Sequence, residues 1–559
     1  MFDIKSIRDG GKRYFSGVLF WVGAAGMLLL FCASCQSDRE PAADDAVTGI
    51  SPNQLKSHVR FLAHDLLGGR GTGDVGFELG REYVAAQYER IGLSPSIGNS
   101  YFQEVPLLEA EADVGSSLRV GRTAIREPDA HFMPDWGKAD SFSGEGIFIG
   151  YGLATHGRND YGDVDVKGKA VFMLAGAPPE WLKDRVRARA AAAKTEIALR
   201  KGAAVVIEIN PPSPEERTPL ERRKRPFRHV FALADGTTPR IRPHVRIESW
   251  AAGRLLSEWG VDALHIVEIA TADSWKPQSV GSVELIRRHS VKSVLTWNII
   301  GVIEGSSPEL KDEAVVFTAH LDHLGITVPD ADGDSICNGA HDNALGVAKL
   351  LGAAEAMVRL HPSRSVVFAV LGAEEKGLLG SWHYVRHPVY PIERTVANIN
   401  QDGGREGVVT DDVILNAADV SQLEDICREV MRDHGVGVMD FDRAASSPVG
   451  FSSDHYPFLL AGIPAVDLKP GHTVQGDMEV GLADRLKYYR IWRHKPADNF
   501  DAESFTMESA AEMAKRSVWI AWYLTQAQEQ PEIDRNNMMW RSRQRPEHPF
   551  YFGKDQGFD

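Results

Sequence analysis

From about Thr296 onward the chain alternates short apolar runs with helical periodicity, and that alternation limits its fold more than any other feature. Val315-Val-Phe317, Val366-Val-Phe-Ala-Val-Leu371 and Val396-Ala-Asn-Ile399 are compact runs. Between the first two, Gly346 to Arg359 sets Val347, Leu350, Leu351, Ala354 and Val358 at helical spacing. Strands apolar on both sides need cover on both sides, which parallel sheets obtain from crossover helices. The pattern predicts an α/β fold with a mostly parallel-stranded central sheet flanked by helices, closed by a helix over Ser504 to Leu524.

The acids and histidines fall at the carboxyl ends of these runs, the edge where open α/β sheets place their sites. His320-Leu-Asp322-His323 follows the first run, and Asn338-Gly-Ala-His-Asp342-Asn precedes the helix. Gly372-Ala-Glu374-Glu375 follows the second run, Asn400-Gln-Asp402 the third, and His494-Lys-Pro-Ala-Asp498 comes last. Taken singly, each has a plain reading: a hydrogen-bonded histidine, a solvated acidic turn. Taken together, so many carboxylates at one edge would repel each other unless cations compensate them. Asp330, Asp332 and Asp334 lack the glycine and glutamate that complete a calcium loop.

Upstream the texture differs. Helical patterns cover Ser51 to His64 and Gly76 to Ile91, the second stopping at Gly92. Between them Leu67-Gly-Gly-Arg-Gly-Thr-Gly73 has no strand before it and no GK[ST] after it, so it reads as a flexible connection and not a phosphate loop. From about Ala112 to Ile286 come β-like runs at 146–152, 169–174 and 203–209, with a helix over Ala188 to Lys201. The basic run Arg222-Arg-Lys-Arg225 is flanked by prolines and glutamates and reads as a solvated loop.

Lys5, Arg8, Lys12 and Arg13 precede an apolar stretch from Val18 to Cys32, too short for the roughly 20 residues of a membrane span. A basic start, a short apolar core and small residues describe a secretory signal. Ala33-Ser34-Cys35 resembles a bacterial lipobox, with Cys32 where a leucine usually stands. The expectation is a lipoprotein-type signal over 1–35, a polar tether over 36–50, export to the cell envelope, and membrane contact only through a lipid on Cys35. A plain signal peptide and a retained anchor are the alternatives. With 62 Lys and Arg against 77 Asp and Glu, the net charge of −15 excludes a nucleic-acid partner held by its phosphates. Cys337 and Cys427 are left as free thiols, with no disulfide framework.

The order and spacing of His320-x-Asp322, Asn338-Gly-Ala-x-Asp342-Asn, Glu374-Glu375, Asp402, Ser453-Asp-His455 and His494-x-Pro-x-Asp498 resemble the M28 family of co-catalytic zinc aminopeptidases. The turn at 67–71 and Tyr101-Phe-Gln resemble that family's N-terminal portion. Gly150-Tyr-Gly152, Asp165-Val-Lys-Gly-Lys169 and Gly202-Ala-Ala204 resemble an inserted protease-associated (PA) domain. The resemblance implies a zinc exopeptidase-like fold, with 51–111 and 287–526 forming the peptidase domain, 112–286 a β-rich PA-like insertion, and 527–559 a polar tail.

The same resemblance implies two Zn²⁺, with Mn²⁺ or Co²⁺ acceptable, bridged by Asp342. Glu375 and His494 would complete one metal site, His320 and Asp402 the other. Asp322 would accept the second ring N–H of His320, and Glu374 would be the general base for hydrolysing peptides from the amino end. The residue types suit this chemistry: histidines and carboxylates are donors for Zn²⁺, two cations activate a water and polarise a carbonyl, and an uncoordinated carboxylate takes the proton. His341 departs from the family's usual Asp, and Leu345 from a small residue, which implies altered contacts behind the ligands. An extra stretch, Gly471 to Arg490, reads as a rim or lid ahead of His494 and leaves His455 and His472 as competitors. Gly450 and Phe451 offer no side-chain donor to an oxyanion. A same-fold carboxypeptidase or other metal-dependent amidohydrolase is the nearest alternative, and a glutaminyl-cyclase-like role is disfavoured because one metal would not need the bridged set. A non-catalytic binding protein would have no use for Glu374. There is no HExxH and no nucleophile elbow.

Overall fold

The computed structural model describes residues 40–534 apart from 114, 134–140, 156, 182–193, 213–228, 237–243, 273, 405–407, 418–419, 440–452 and 504. The signal with Cys35, the basic run at 222–225, Gly450, Phe451 and the tail beyond 534 lie outside the described residues. So does the first part of the helix expected at 188–201, which is seen as Lys194–Arg200.

The larger sheet contains β1 (Phe102–Ala112), β2 (His229–Leu233), β3 (His289–Ile303), β4 (Ala314–His320), β5 (Ser365–Leu371), β6 (Thr395–Asn400), β7 (Asp412–Asn416), β8 (Gly437–Val438) and β9 (Ala465–Pro470). Their order is β2-β1-β3-β5-β4-β6-β9-β7-β8, with Ser94–Pro95 added beside β3. The middle strands β5, β4, β6 and β9 run parallel. On one flank β2, β1 and β3 are antiparallel to one another and β3 is antiparallel to β5; on the other, β7 is antiparallel to β9. The α/β expectation holds, but the sheet is mixed. The reason is visible in burial: every residue of β4, β5 and β6 is buried, whereas β1 alternates exposed and buried positions along much of its length. A strand with one wet face needs no helix on that side.

Cover for the middle follows the pleat. Val315, Phe317 and Ala319 face the helices Pro52–Leu62, Val75–Ile91, Leu345–Leu360 and Glu508–Gln526. Val316, on the opposite face, packs with Leu379–Arg386 and His455–Ala461. Local signals set the ends: Ser51 caps Gln54 with Pro52 in the first turn, and Gly92 takes a φ of 94° after Ile91.

The glycine-rich turn is no flexible connection. Asp65–Arg70 forms a short 3₁₀ segment in which Gly68 and Gly69 have φ of 52° and 72°. A Cβ on Gly69 would lie 2.3 Å from the Cys337 carbonyl oxygen. Arg70, with no exposed surface, donates to the carbonyls of Leu321 at 2.8 Å, Asn338 at 2.7 Å and Gly339 at 3.1 Å, and to that of Leu62. The turn thus clamps two loops of the strand-end edge together.

A second sheet is built from strands between Ser117 and Ile286. Its middle strands Ser141–Phe148, Ala170–Leu174, Val205–Ile209 and Val245–Ile247 are parallel, and its apolar cores are separate from those of the larger sheet. One segment of the same stretch, β2, leaves it to pair with β1. No described helix is long and apolar enough to cross a membrane.

Candidate active site

The parallel strands deliver the expected residues to one edge. His320 is the last residue of β4, Glu374 and Glu375 follow β5, and Asp402 follows β6. Asp342 sits in the tight turn Ala340–Ala344 that starts the helix Leu345–Leu360, and its peptide bond to Asn343 is cis. His494 comes after the helical stretches Met478–Lys487 and Tyr488–Trp492, the first of which lies in the Gly471 to Arg490 stretch expected to form a rim.

These side chains converge as two groups that share Asp342. His320 Nε2 is 3.3 Å from Asp342 Oδ1 and 3.2 Å from Asp402 Oδ1. His494 Nε2 is 3.3 Å from Asp342 Oδ2 and 3.3 Å from Glu375 Oε1. Each oxygen of one carboxylate therefore faces a different histidine. Glu374 joins His320 and Asp402, with one ligand atom from each lying within 4.8 Å of the others.

The set fits a pair of divalent cations on its own chemistry. Asp342, Glu374, Glu375 and Asp402 share one small volume, and the lysine among them, Lys469, is divided between Asp402 Oδ2 at 3.9 Å and Asp467 Oδ2 at 3.1 Å. Burial, with Glu375, Asp402 and Asp454 nearby, pushes the Glu374 carboxyl well above the usual range against the pull of His320. Burial opposes charge on His320 too, yet Glu374, Asp342 and Asp402 outweigh it and hold the ring protonated. The protein alone answers its excess of negative charge with protons, where bound cations would answer it directly. The donors are imidazole nitrogens and carboxylate oxygens, as zinc prefers.

The surrounding contacts differ from expectation at Asp322. His320 Nδ1 donates to the backbone carbonyl of Asp322 at 2.9 Å, not to its carboxylate. The carboxylate instead accepts from the backbone N–H of Glu374 at 2.9 Å and of Glu375 at 3.3 Å, and from Thr72 Oγ1 at 3.1 Å. Asp322 thus fixes the loop that carries both glutamates. His341 shows the altered contacts its departure implies. Its Nδ1 lies 2.6 Å from Asp498 Oδ1, and its ring stacks on Trp492 with centroids 5.0 Å apart. Asp498 also accepts from the backbone N–H groups of His341 and Asp342, tying the loop of His494 to that of Asp342.

The structure adds a residue that sequence reasoning did not select. His323, wholly buried, places Nδ1 2.7 Å from Glu375 Oε1. It stands directly after the His-x-Asp string, so the signal was present in the letters but not its direction. The competing histidines lie elsewhere: His472 Nε2 accepts from Arg485 at 3.1 Å, and His455 begins a buried helix. The acids open onto a cleft of about 800 Å³ whose remaining lining includes Lys469, Arg485, Tyr488, Tyr489 and Arg493. Burial raises the Tyr488 phenol well above its usual range, which keeps it a proton donor.

Fold and site together define an α/β domain whose strand-end edge gathers imidazole and carboxylate donors fit for metal ions, and the comparisons point the same way. Residues 298–518 match Peptidase family M28. Aminopeptidase YwaD of Bacillus subtilis (strain 168) is 28% identical over 215 residues, covering 36% of this chain and 40% of that protein. A vacuolar membrane protease of Saccharomyces cerevisiae (strain YJM789) is 31% identical over 106 residues, 19% of this chain and 10% of the relative. The matched parts thus span less than half the length of these curated relatives. Among solved structures, an aminopeptidase from Aneurinibacillus sp. strain AM-1 shares the fold, with a TM-score of 0.52 at 18% identity over 86% of this chain and 96% of that one.

Proposed function

We propose that this chain is an exported, dinuclear zinc aminopeptidase that removes residues from the amino end of peptides. The observation that carries the proposal is Asp342, whose two oxygens each lie 3.3 Å from a different histidine. His320 and Asp402 hold one zinc in this reading, Glu375 and His494 the other. The relative named as an aminopeptidase supports the choice of substrate end.

When bound, the ions would supply Lewis acidity, which polarises a carbonyl and lowers the pKa of a water. The protein's own groups do the rest. Glu374 sits beside His320 and Asp402, close enough to offer a ligand atom of its own; in this reading its carboxylate stays uncoordinated, takes the proton of the attacking water and passes it to the leaving amine. Asp322 holds Glu374 and Glu375 through their backbone N–H groups, and Asp498 holds the turn of Asp342. Export rests on the basic and apolar segments before Cys35, with a lipid on that cysteine as the membrane contact. The separate apolar core of the 117–286 strands supports the reading of a PA-like insertion over 112–286.

The test pairs metal analysis of the purified protein with peptide amides whose amino end is free or blocked. Two equivalents of zinc and cleavage only of the free amines are expected. Equal cleavage of blocked substrates would replace the proposal with a general amidohydrolase, and absence of bound metal would remove it.

A further inference from the structure

The cleft has two walls of opposite charge. One is the acidic edge with His320, Asp342, Glu374 and Asp402; the other carries Arg485, Tyr489 and Arg493. The second wall comes from the stretch that precedes His494 in sequence, through the helical turns of Met478–Lys487 and Tyr488–Trp492.

The cations on this wall are not consumed by the acids. Lys469 is engaged with Asp467 and Asp402. Arg485 and Arg493 form no ion pair with any described carboxylate; Arg485 instead donates to His472 Nε2 at 3.1 Å. Both flank a single ring, with Arg485 Cζ 5.8 Å and Arg493 Cζ 6.0 Å from the Tyr489 centroid. That arrangement holds two guanidinium groups at the cleft surface, with the fork of Arg493 and the N–H groups of Arg485 not given to His472 left available. Had these arginines served only to neutralise the metal-site acids, direct pairing would be the cheaper geometry.

We infer that Arg485 and Arg493 form a carboxylate-recognition wall, so that the enzyme prefers substrates carrying a carboxylate close to the scissile bond. The inference rests on the exopeptidase reading of the same cleft. Two sources share this chemistry: an acidic side chain on the amino-terminal residue, and the free α-carboxylate of a dipeptide. Guanidinium forks bind a carboxylate bidentately, with a charge and a shape that a neutral group does not match.

The zinc-loaded protein is assayed on Glu-, Asp- and Leu-p-nitroanilide, and on Leu-Gly beside Leu-Gly-amide. At least a tenfold preference in kcat/KM is expected in one pair, acidic over neutral or free acid over amide, and the pair that shows it names the source. Arg485→Gln should cut that preference ratio at least fivefold, while Arg485→Lys retains more of it. Reading the ratio removes any loss common to both substrates. Equal cleavage within each pair, or an unchanged ratio in Arg485→Gln, overturns the inference and leaves the aminopeptidase reading intact. Turnover of none of the substrates removes that reading, and this inference with it.

Discussion

The two sheets have similar middles and different edges. Each contains four adjacent parallel strands with buried interiors. In the larger sheet those strands end in His320, the Glu374-Glu375 loop and the Asp402 loop. In the second, Ala170–Leu174 runs into Ala175-Gly176, Val205–Ile209 into Asn210 and Val245–Ile247 into Glu248. Parallel strands open a position for a site at their carboxyl ends, but topology alone leaves it unused. The chemistry depends on which side chains the loops bring there.

The largest effect that could break this comparison is at a glutamate in each sheet. Glu374→Gln should lower kcat by about 10²–10⁴ while the zinc content, measured on the same preparation, stays near that of the parent. Glu208, 5% exposed, is bonded to Arg246 and near Lys194 in the second sheet. Glu208→Gln should leave kcat/KM within about threefold yet destabilise by about 3 kcal/mol in chemical unfolding, because it strands the buried Lys194 and takes a charged partner from the partly exposed Arg246. A matching loss of kcat in Glu208→Gln would erase the distinction between the sheets.

A smaller effect is expected at Asp322. Its carboxylate touches the backbone of both glutamates and Thr72 but none of the converging nitrogens. Asp322→Asn keeps the shape but loses one acceptor, so kcat or zinc affinity should fall by about 10–100-fold, the range for contacts behind the ligands. Intact values for both would show that the glutamate loop holds itself.

The smallest effect concerns the helices that cover the larger sheet. Burial lowers the pKa of His58 to about 4, with Glu355 opposing and Arg90 assisting. The folded state therefore favours the neutral ring. Stability is complete above the ordinary histidine pKa and is lost as pH falls from about 6.5 toward 4, by about 2 kcal/mol at pH 5. His58→Gln should flatten that part of the profile. An unchanged acid limb in urea unfolding at pH 5 and 7 would assign the sensitivity to other groups.

Much of this was legible before any coordinates. The runs at 315–317 and 366–371 were readable because strands buried on both faces leave no alternation to confuse. His320, Asp342, Glu374, Glu375, Asp402 and His494 stood out because their order and spacing resemble the M28 pattern, and strand ends marked the edge for His320, Glu374, Glu375 and Asp402; the stretch ahead of His494 left that position open to His455 and His472. The mixed character of the sheet was hidden, since β2 comes from the middle of a region with its own core and pairs far from its sequence neighbours. Arg70 was read as part of a loose turn because the carbonyls of Leu321, Asn338 and Gly339 that bind it are distant in sequence. Asp322 and His323 show the finer limit: spacing locates a loop, but which atom of a residue meets the ring or the carboxylate depends on how that loop turns.

The central claim is that Asp342 bridges two metal ions, and zinc titration of the metal-free protein followed by native mass spectrometry tests it most directly. The account predicts two zinc ions per chain in the parent, at most one in His494→Ala, and loss of tight binding at both positions in Asp342→Ala. Saturation of the parent at one zinc, or two ions retained by Asp342→Ala, would contradict it.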